Sequence, residues 1–230
     1  YLRGAKNLAL AQISRLPDTL KILDLSNCDI SDIDFTHFTQ LESIKILDLK
    51  GCNVADVDFT RFTQLESVNL WNTKNLIPNQ ISQLPPTLKK IDLKFCNVAG
   101  VDFSRFTQLE EIDLTGTKNL TPNQISQLSP TLKKLDLSCC NVTDIDFTRF
   151  TQLEESELYN ARNLTPNQIS QLPPTLKKLN LSSCNVTGIN FSQFTQLEEI
   201  KLYDAENLTP EQIREIPPTL KTLDLSGCNV

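Results

Sequence analysis

Residues 131–152 read TLKKLDLSCCNVTDIDFTRFTQ, and the residues before them, 109–130, read LEEIDLTGTKNLTPNQISQLSP. Both segments open with apolar residues in the spacing Leu-x-x-Leu-x-Leu, with Ile112 in the middle place of the second, and then diverge. The first type recurs every 44 residues, and a cysteine marks it each time: Cys52, Cys96, Cys140, Cys184 and Cys228. The chain therefore contains two kinds of half-repeat, which we call A (with the cysteine) and B.

Each half-repeat predicts one short strand and one return segment. Around its second and third leucines, as in Leu135-Asp136-Leu137, apolar and polar residues alternate with the period of a strand. In B, Thr121 followed by Pro122 predicts a short capped helix, whereas the A segment around Phe147 has room for one helical or 3-10 turn. Because the helical return segments are wider than strands, stacking predicts a bent array with a parallel sheet on its inner face.

This pattern resembles the leucine-rich repeat family, in which Leu-x-x-Leu-x-Leu-x-x-Cys/Asn-x-Leu recurs every 20–29 residues. The A segments, such as TLKKLDLSCCNVTD, are similar to the cysteine-containing subclass. The phrase Leu-Pro-Pro-Thr-Leu-Lys at 84–89 and 172–177 is similar to repeats of bacterial host-directed effectors. The resemblance implies an α/β leucine-rich-repeat solenoid that is curved, with a parallel β-sheet on the concave face and short helices and 3-10 turns on the convex face.

We expect one solenoid domain over residues 1–230, with about ten half-repeats of 21–24 residues in a 44-residue super-repeat. Residues 1–8 match a B half-repeat entered at its strand, and the last residues follow an A strand, so neither end resembles a polar cap. The sequence is therefore expected to be a fragment of a longer array.

Composition excludes several classes of function. A net charge of −6 with Lys and Glu interleaved argues against a nucleic-acid partner, which needs a basic surface. No segment approaches the roughly 20 apolar residues of a membrane span, so membrane insertion is not expected. The chain has a single histidine, His37, and no Gly-rich phosphate loop, so we expect no enzyme activity, catalytic residue, metal or cofactor.

Three residue types recur at fixed places and predict structural roles. One cysteine per A half-repeat predicts buried, reduced thiols, and hence a cytoplasmic or other reducing compartment, or a host cytosol for a delivered effector. Whether Cys28 and Cys52 can pair stays open, and Cys139 is expected outside the core. Ten of eleven phenylalanines form five Phe-x-x-Phe pairs, which predicts a buried spine. The asparagine near the end of each loop, as in Asn97 and Asn119, predicts a buried amide column.

Strand alternation predicts three columns of side chains on the concave face. The first column is Ile22, Ile46, Ser67, Lys90, Glu111, Lys134, Glu155, Lys178, Glu199 and Thr222. The second column is Asp24, Asp48, Asn69, Asp92, Asp113, Asp136, Glu157, Asn180, Lys201 and Asp224. The third column is Ser26, Lys50, Trp71, Lys94, Thr115, Ser138, Tyr159, Ser182, Tyr203 and Ser226. Alternating Lys and Glu in the first column are expected to set the strand register rather than bind a ligand.

The second and third columns allow two interpretations each. The acidic second column is either a solvated stripe copied with the repeat or an electronegative groove that attracts a basic partner. The aromatic residues of the third column, with the neighbouring Phe95, are either ordinary surface residues or anchors of a protein interface.

From these patterns we predict a protein–protein interaction scaffold that binds a partner protein, with a basic surface, on its concave β-sheet face. The predicted partner-binding residues are Trp71, Phe95, Tyr159, Tyr203, Asp92, Asp113 and Asp136. The alternative is the substrate-recognition arm of a larger enzyme or bacterial host-directed effector, for example a ubiquitin ligase, whose catalytic domain is absent. A third possibility is self-association through uncapped ends.

Overall fold

The computed structural model describes residues 16–17, 19–30, 33, 35 and 39–230, and contains one parallel sheet of ten strands that pair in chain order. The strands are β1 Ile22–Asp24, β2 Ile46–Asp48, β3 Ser67–Asn69, β4 Lys90–Asp92, β5 Glu111–Asp113, β6 Lys134–Asp136, β7 Glu155–Glu157, β8 Lys178–Asn180, β9 Glu199–Lys201 and β10 Thr222–Asp224. This confirms the predicted solenoid with its sheet on the concave face. His37 and residues 1–8, which entered the sequence argument, lie outside the described residues.

The return segments differ between the two half-repeats as predicted. Within the described residues, the B segments contain four short helices: α1 Pro78–Ser82, α2 Pro122–Ser126, α3 Pro166–Ile169 and α4 Pro210–Arg214. The A type contains 3-10 turns at Thr39–Ser43, Phe59–Arg61, Phe103–Arg105 and Phe191–Gln193. The sequence starts α2 where expected, because Pro122 needs no hydrogen-bond acceptor for its nitrogen and the Thr121 hydroxyl accepts from the Gln124 amide.

The phenylalanine spine is confirmed over the described pairs. Both rings of each pair from Phe59/Phe62 onward are buried: Phe59, Phe62, Phe103, Phe106, Phe147, Phe150, Phe191 and Phe194. Ring centroids within a pair are 6.2 Å apart at Phe59/Phe62 and 6.4 Å apart at Phe103/Phe106, which suits tilted aromatic packing. The spine packs between the return segments and the sheet. The core therefore lies on that side of the sheet, and the concave face is not covered by it.

The column of cysteines is a column of hydrogen-bonded thiols. Cys96 Sγ donates to the Leu70 carbonyl at 3.1 Å, one half-repeat earlier, and Cys52 Sγ donates to the Leu25 carbonyl at 2.9 Å. Burial raises the pKa of Cys52 to about 11. All seven cysteines in the described part of the chain are free, so Cys28 and Cys52 are not bonded to each other.

The prediction of a buried asparagine column is wrong. Asn97 and Asn119 are exposed, and Asn119 Nδ2 donates to Asn97 Oδ1 at 3.0 Å along the surface. The buried amide belongs instead to the glutamine of each short helix, because its longer side chain reaches from the helix across to the preceding half-repeat. Gln124, 5% exposed, donates to the Val98 carbonyl at 2.6 Å and accepts from the Thr121 amide at 3.1 Å.

Candidate functional site

The strand register places the three predicted columns side by side on the concave face. Lys90, Glu111 and Lys134 occupy equivalent places in β4, β5 and β6. Lys90 Nζ lies 2.7 Å from Glu111 Oε2, and Lys134 Nζ lies 3.0 Å from Glu155 Oε2. The charges of the first column therefore largely satisfy one another, which agrees with a role in register rather than in ligand binding.

The second column is neutralised at one end of its acidic run and not at the other. Lys94 Nζ lies 2.8 Å from Asp113 Oδ2 and 3.7 Å from Asp92 Oδ2. Asp136 is on the next strand, and within the described residues it makes no ion pair with a lysine or arginine. Burial, together with the negative charge of Asp113, raises the pKa of Asp136. The three predicted acidic residues are thus adjacent, but only two of them share a cation.

The third column lies two residues past each strand and carries the aromatic residues. Tyr159 and Tyr203 are 42% and 45% exposed, and Phe95, one residue beyond this column, is 50% exposed. Trp71 is only partly exposed, because Lys50 Nζ lies 3.4 Å and Lys94 Nζ 5.3 Å from its ring centroid. Three of the four predicted anchors therefore present open rings, and Trp71 presents a ring flanked by two ammonium groups.

A left-handed residue follows the third column in every half-repeat. These residues are Asn27, Gly51, Asn72, Phe95, Gly116, Cys139, Asn160, Ser183, Asp204 and Gly227. Glycine, asparagine and aspartate tolerate this conformation well, but phenylalanine does so only at a cost of about 1–2 kcal/mol. Phe95 holds a φ of 61° there with half of its surface in solvent. The strain and exposure of Phe95 are stronger evidence for a functional surface than its position in the sequence alone.

The seven predicted residues lie along one side of the sheet, where the strands end. Trp71 and Phe95 follow β3 and β4, and Tyr159 and Tyr203 follow β7 and β9. At about 4.8 Å per strand, the two aromatic pairs are separated by roughly three strands, or about 14 Å. Asp113 and Asp136 end the two strands between them. A shallow depression of about 170 Å³ on the concave face is lined by Lys90, Asp92, Lys94, Glu111, Asp113 and Lys134, together with the backbone of β4 and β5.

Sequence reasoning missed Ser156, which lies in the middle of β7. Every other strand has leucine, isoleucine or valine at this place, whereas Ser156 is 1% exposed and its hydroxyl has no hydrogen-bond partner. A comparison of Glu-Ser-Glu in β7 with Glu-Ile-Asp in β5 gives the signal that could have found it. β7, the strand that Tyr159 follows, therefore contains a buried hydroxyl group without a hydrogen-bond partner.

Among the described residues, no three His, Cys, Asp or Glu side chains converge to hold a metal ion, and no helix has the length and apolarity to span a membrane. A larger depression of about 610 Å³ lies away from the sheet, and its polar lining includes Asp144, Asn163 and Gln171. Those side chains belong to return segments that recur along the chain, so this depression carries no distinctive chemistry.

Parts of the sequence match two family models. A Leucine Rich Repeat model matches residues 19–41 and 175–197, and a second model described as Leucine Rich repeat matches residues 128–145 and 217–230. No curated protein matches the chain. The matched segments cover A strands at both ends and in the middle of the sheet.

Solved structures with a similar fold include proteins of Listeria monocytogenes and Leptospira interrogans. An internalin of Listeria monocytogenes has a TM-score of 0.68 at 16% identity and covers 88% of this chain and 59% of that one. A leucine-rich repeat protein of Leptospira interrogans has a TM-score of 0.69 at 22% identity and covers 92% and 56%. The functional domain of InlJ from Listeria monocytogenes, which includes a cysteine ladder, has a TM-score of 0.59 at 20% identity and covers 96% and 56%. The chain thus spans little more than half of each, and the likeness is one of fold.

Proposed function

We propose that this chain, a leucine-rich repeat protein, is a protein-binding scaffold that holds its partner on the concave face of the sheet. Repeat domains of this family are typically protein-binding scaffolds, and the specific surface is our inference. The observation that carries it is the row of open rings, Phe95, Tyr159 and Tyr203, beside a first column in which Lys90, Glu111, Lys134 and Glu155 form ion pairs with one another.

The proposed mechanism is rigid display. Strands and spine fix the positions of the anchors before a partner arrives, so binding orders few groups and loses little conformational entropy. Tyrosine and phenylalanine supply large contact areas at the centre of interfaces. Asp92, Asp113 and Asp136 add a negative field along the same side, which favours a partner with a basic surface. Trp71, with its two lysines, lies at the β3 end of this surface.

The same surface would serve the two wider roles considered from the sequence. If the chain is the recognition arm of a larger enzyme or host-directed effector, the concave face selects the substrate and another domain acts on it. The hydrogen-bonded, reduced thiols support function in a cytosol or another reducing compartment.

The test is a binding comparison between two variants of the full chain. Tyr159→Ala with Tyr203→Ala removes two anchors, and Ile77→Ala, at a side chain 52% exposed before α1, removes apolar surface away from the sheet. Proteins captured from a lysate by the wild type are identified, and their affinity for each variant is measured by calorimetry. We expect the double tyrosine variant to bind more than about tenfold more weakly and Ile77→Ala to bind like the wild type. Equal binding by the tyrosine variant, or loss by Ile77→Ala, overturns the assignment of this face.

A further inference from the structure

The molecule itself shows how its concave face holds an ammonium group. Lys94, in the third column after β4, lies between the carboxylates of Asp92 on its own strand and Asp113 on the next. Its ammonium group also lies 5.3 Å from the Trp71 ring on the preceding strand. Lys50, after β2, also lies against that ring, with its Nζ 3.4 Å from the ring centroid. Two carboxylates and one aromatic ring from neighbouring strands therefore form a binding place for a lysine side chain. We call the place formed by Asp92, Asp113 and Trp71 the β4 seat.

A similar set of groups is present around Ser138, after β6, without a lysine, but its aromatic residue is on the following strand, whereas Trp71 is on the strand before Lys94. Asp136 of β6 and Glu157 of β7 are register partners, as Asp92 and Asp113 are. Tyr159 follows β7 and is the third-column neighbour of Ser138, as Trp71 is of Lys50. The place that holds the lysine in the β4 seat is occupied here by a small hydroxyl side chain. The backbone is equivalent, since the Ser138 and Lys94 amides donate to Oδ1 of Asp136 and Asp92 at 2.9 Å and 3.0 Å.

The lysines near Ser138 already form ion pairs with other carboxylates. Lys134, the nearest first-column lysine, is bonded to Glu155 at 3.0 Å, and Lys94 is bonded to Asp113 at 2.8 Å. Glu157 accepts one hydrogen bond, from Asn180 Nδ2 at 2.7 Å, which brings no positive charge. The carboxylates of Asp136 and Glu157 therefore form an adjacent pair that makes no ion pair with a lysine or arginine of the described residues.

Other third-column places do not combine these groups. Ser182 has tyrosines on both sides, but its second-column neighbours are Asn180 and Lys201. Thr115 has the acidic neighbours Asp113 and Asp136 but no aromatic one. Ser138 alone, among the third-column serines and threonines after β5 to β10, has two carboxylates and an adjacent ring.

The overall charge of the face favours the same half of the sheet. The three columns of β1 to β4 contain three basic and three acidic residues, and those of β5 to β10 contain three basic and seven acidic residues. A cationic partner would therefore be attracted toward β5 to β10, where Ser138 lies.

We propose that Ser138 marks an open seat for a lysine side chain of the partner protein, whose ammonium group lies between the Asp136 and Glu157 carboxylates and against the Tyr159 ring. This inference rests on the proposed concave-face function and names the chemistry that the face recognises. Relative to the two carboxylates, the partner's lysine takes the place that Lys94 occupies beside Asp92 and Asp113; relative to the ring, it takes the place that Lys50 occupies beside Trp71.

The first experiment places a lysine of this chain in the proposed seat. Ser138→Lys adds a lysine where Lys94 and Lys50 show that the backbone accepts one, and Ser67→Lys adds the same charge to the first column of β3 as a matched control. We expect the introduced ammonium group, in a crystal structure, to lie within about 4 Å of both the Asp136 and Glu157 carboxylates. We also expect the pKa of Asp136, measured by carbon NMR of its carboxyl, to fall in Ser138→Lys and to stay unchanged in Ser67→Lys. A lysine that points away, or equal effects of both variants, overturns the seat.

The second experiment measures binding of a defined cation. The probe is the peptide acetyl-Gly-Gly-Lys-Lys-Gly-Gly-amide, with glutamates replacing the lysines in a control peptide. We expect saturable shifts of the Asp136, Glu157 and Tyr159 signals with the lysine peptide, an affinity lower by about tenfold for Ser138→Lys, and little change for Ser67→Lys. If Ser138→Lys does not fold, Asp136→Asn with Glu157→Gln gives the same comparison. Shifts elsewhere on the surface, or equal losses in Ser138→Lys and Ser67→Lys, overturn the proposal.

A captured partner separates this proposal from the wider one. A partner lost by the Tyr159→Ala, Tyr203→Ala variant but bound normally by Ser138→Lys keeps the concave-face function and removes the lysine seat. A partner bound normally by both variants removes both proposals. A partner lost by both, and retained by Ser67→Lys, supports both.

Discussion

Phe95 and Gly116 fit against each other at the ends of two neighbouring strands. A Cβ atom built on Gly116 would lie 2.6 Å from Cε1 of the Phe95 ring, closer than such atoms approach in proteins. Both residues are left-handed, with φ of 61° and 59°. Gly116 therefore has two roles. It adopts the left-handed conformation without strain, and its lack of a side chain leaves room for the strained Phe95 ring. The half-exposed Phe95 ring therefore packs against the Gly116 backbone.

This relationship predicts that Gly116→Ala destabilises the protein through two separable effects. The substitution adds the left-handed strain of alanine and pushes its methyl group into the Phe95 ring, so we expect a loss of about 2–4 kcal/mol in the free energy of unfolding by urea. Gly100→Ala is the matched control, because Gly100 has a φ of 70° but no atom within 4 Å of a built Cβ. It should lose about 1–2 kcal/mol, from strain alone.

Removing the Phe95 ring should then abolish the extra loss of stability caused by Gly116→Ala. In the double variant Phe95→Ala, Gly116→Ala, the added methyl group meets no ring, so the penalty of the glycine substitution should fall to that of Gly100→Ala. An unchanged penalty in the Phe95→Ala background would show that the ring does not lie over Gly116.

The sequence predicted the strand positions and the three columns because these depend on spacing alone. Leucine spacing sets which residues point inward, and the 44-residue period sets which residues are neighbours in space. Asp92, Asp113 and Asp136 could therefore be placed next to each other from the sequence. The pairing of Lys94 with Asp113 could not, because it depends on which way one flexible side chain turns.

Side-chain reach explains the wrong prediction about amides. Asn119 and Gln124 recur with the same period, so periodicity does not say which of the two is buried. Asn119, with its shorter side chain, bonds Asn97 on the surface, whereas Gln124 extends from α2 to the carbonyls of the previous half-repeat. The buried position is determined by the direction of the helix, which becomes visible only in the fold.

We predict that Gln124→Leu costs far more stability than Asn119→Leu. The leucine leaves the buried carbonyls of Val98 and Val101 and the Thr121 amide without their partner. Each unsatisfied buried group costs about 1–3 kcal/mol, so we expect a total loss near 3 kcal/mol, measured by urea unfolding. Asn119→Leu removes an exposed bond and should lose less than about 0.5 kcal/mol. Similar losses in the two variants would contradict the assignment of Gln124 as the buried link between half-repeats.

Ser156 predicts a gain in stability. Its hydroxyl is buried in the centre of β7 with no partner, between Leu135 and Leu179 of the adjacent strands. Ser156→Val replaces the unsatisfied group with the apolar side chain that the other strands carry, and we expect the free energy of unfolding to rise by about 1–2 kcal/mol. Ser156→Ala, as a control, removes the hydroxyl without filling volume and should give a smaller change. A loss of stability in both variants would mean that the hydroxyl has a role that the static structure does not show.

Thiol reactivity provides a check on the cysteine column and on Cys139. Iodoacetamide reacts with thiolates, and a thiol with a pKa of about 11, as burial gives Cys52, is almost entirely protonated at neutral pH. Cys139, by contrast, is partly exposed on a left-handed turn next to Ser138. We expect mass spectrometry of the folded protein to show Cys139 alkylated first, and Cys52 labelled only as fast as the protein opens.

The pH dependence separates burial from protonation. At pH 9 the Cys52 thiol, with a pKa of about 11, is still almost entirely protonated, so Cys52 should stay protected in the folded state when the pH is raised from 7 to 9. Cys139→Ser should then confine labelling of the native protein to Cys228, the other partly exposed thiol, because the five buried A thiols donate to backbone carbonyls, as Cys96 does to Leu70. Rapid labelling of Cys52 in that variant would show that the stack opens locally and that the concave face it supports is not rigid.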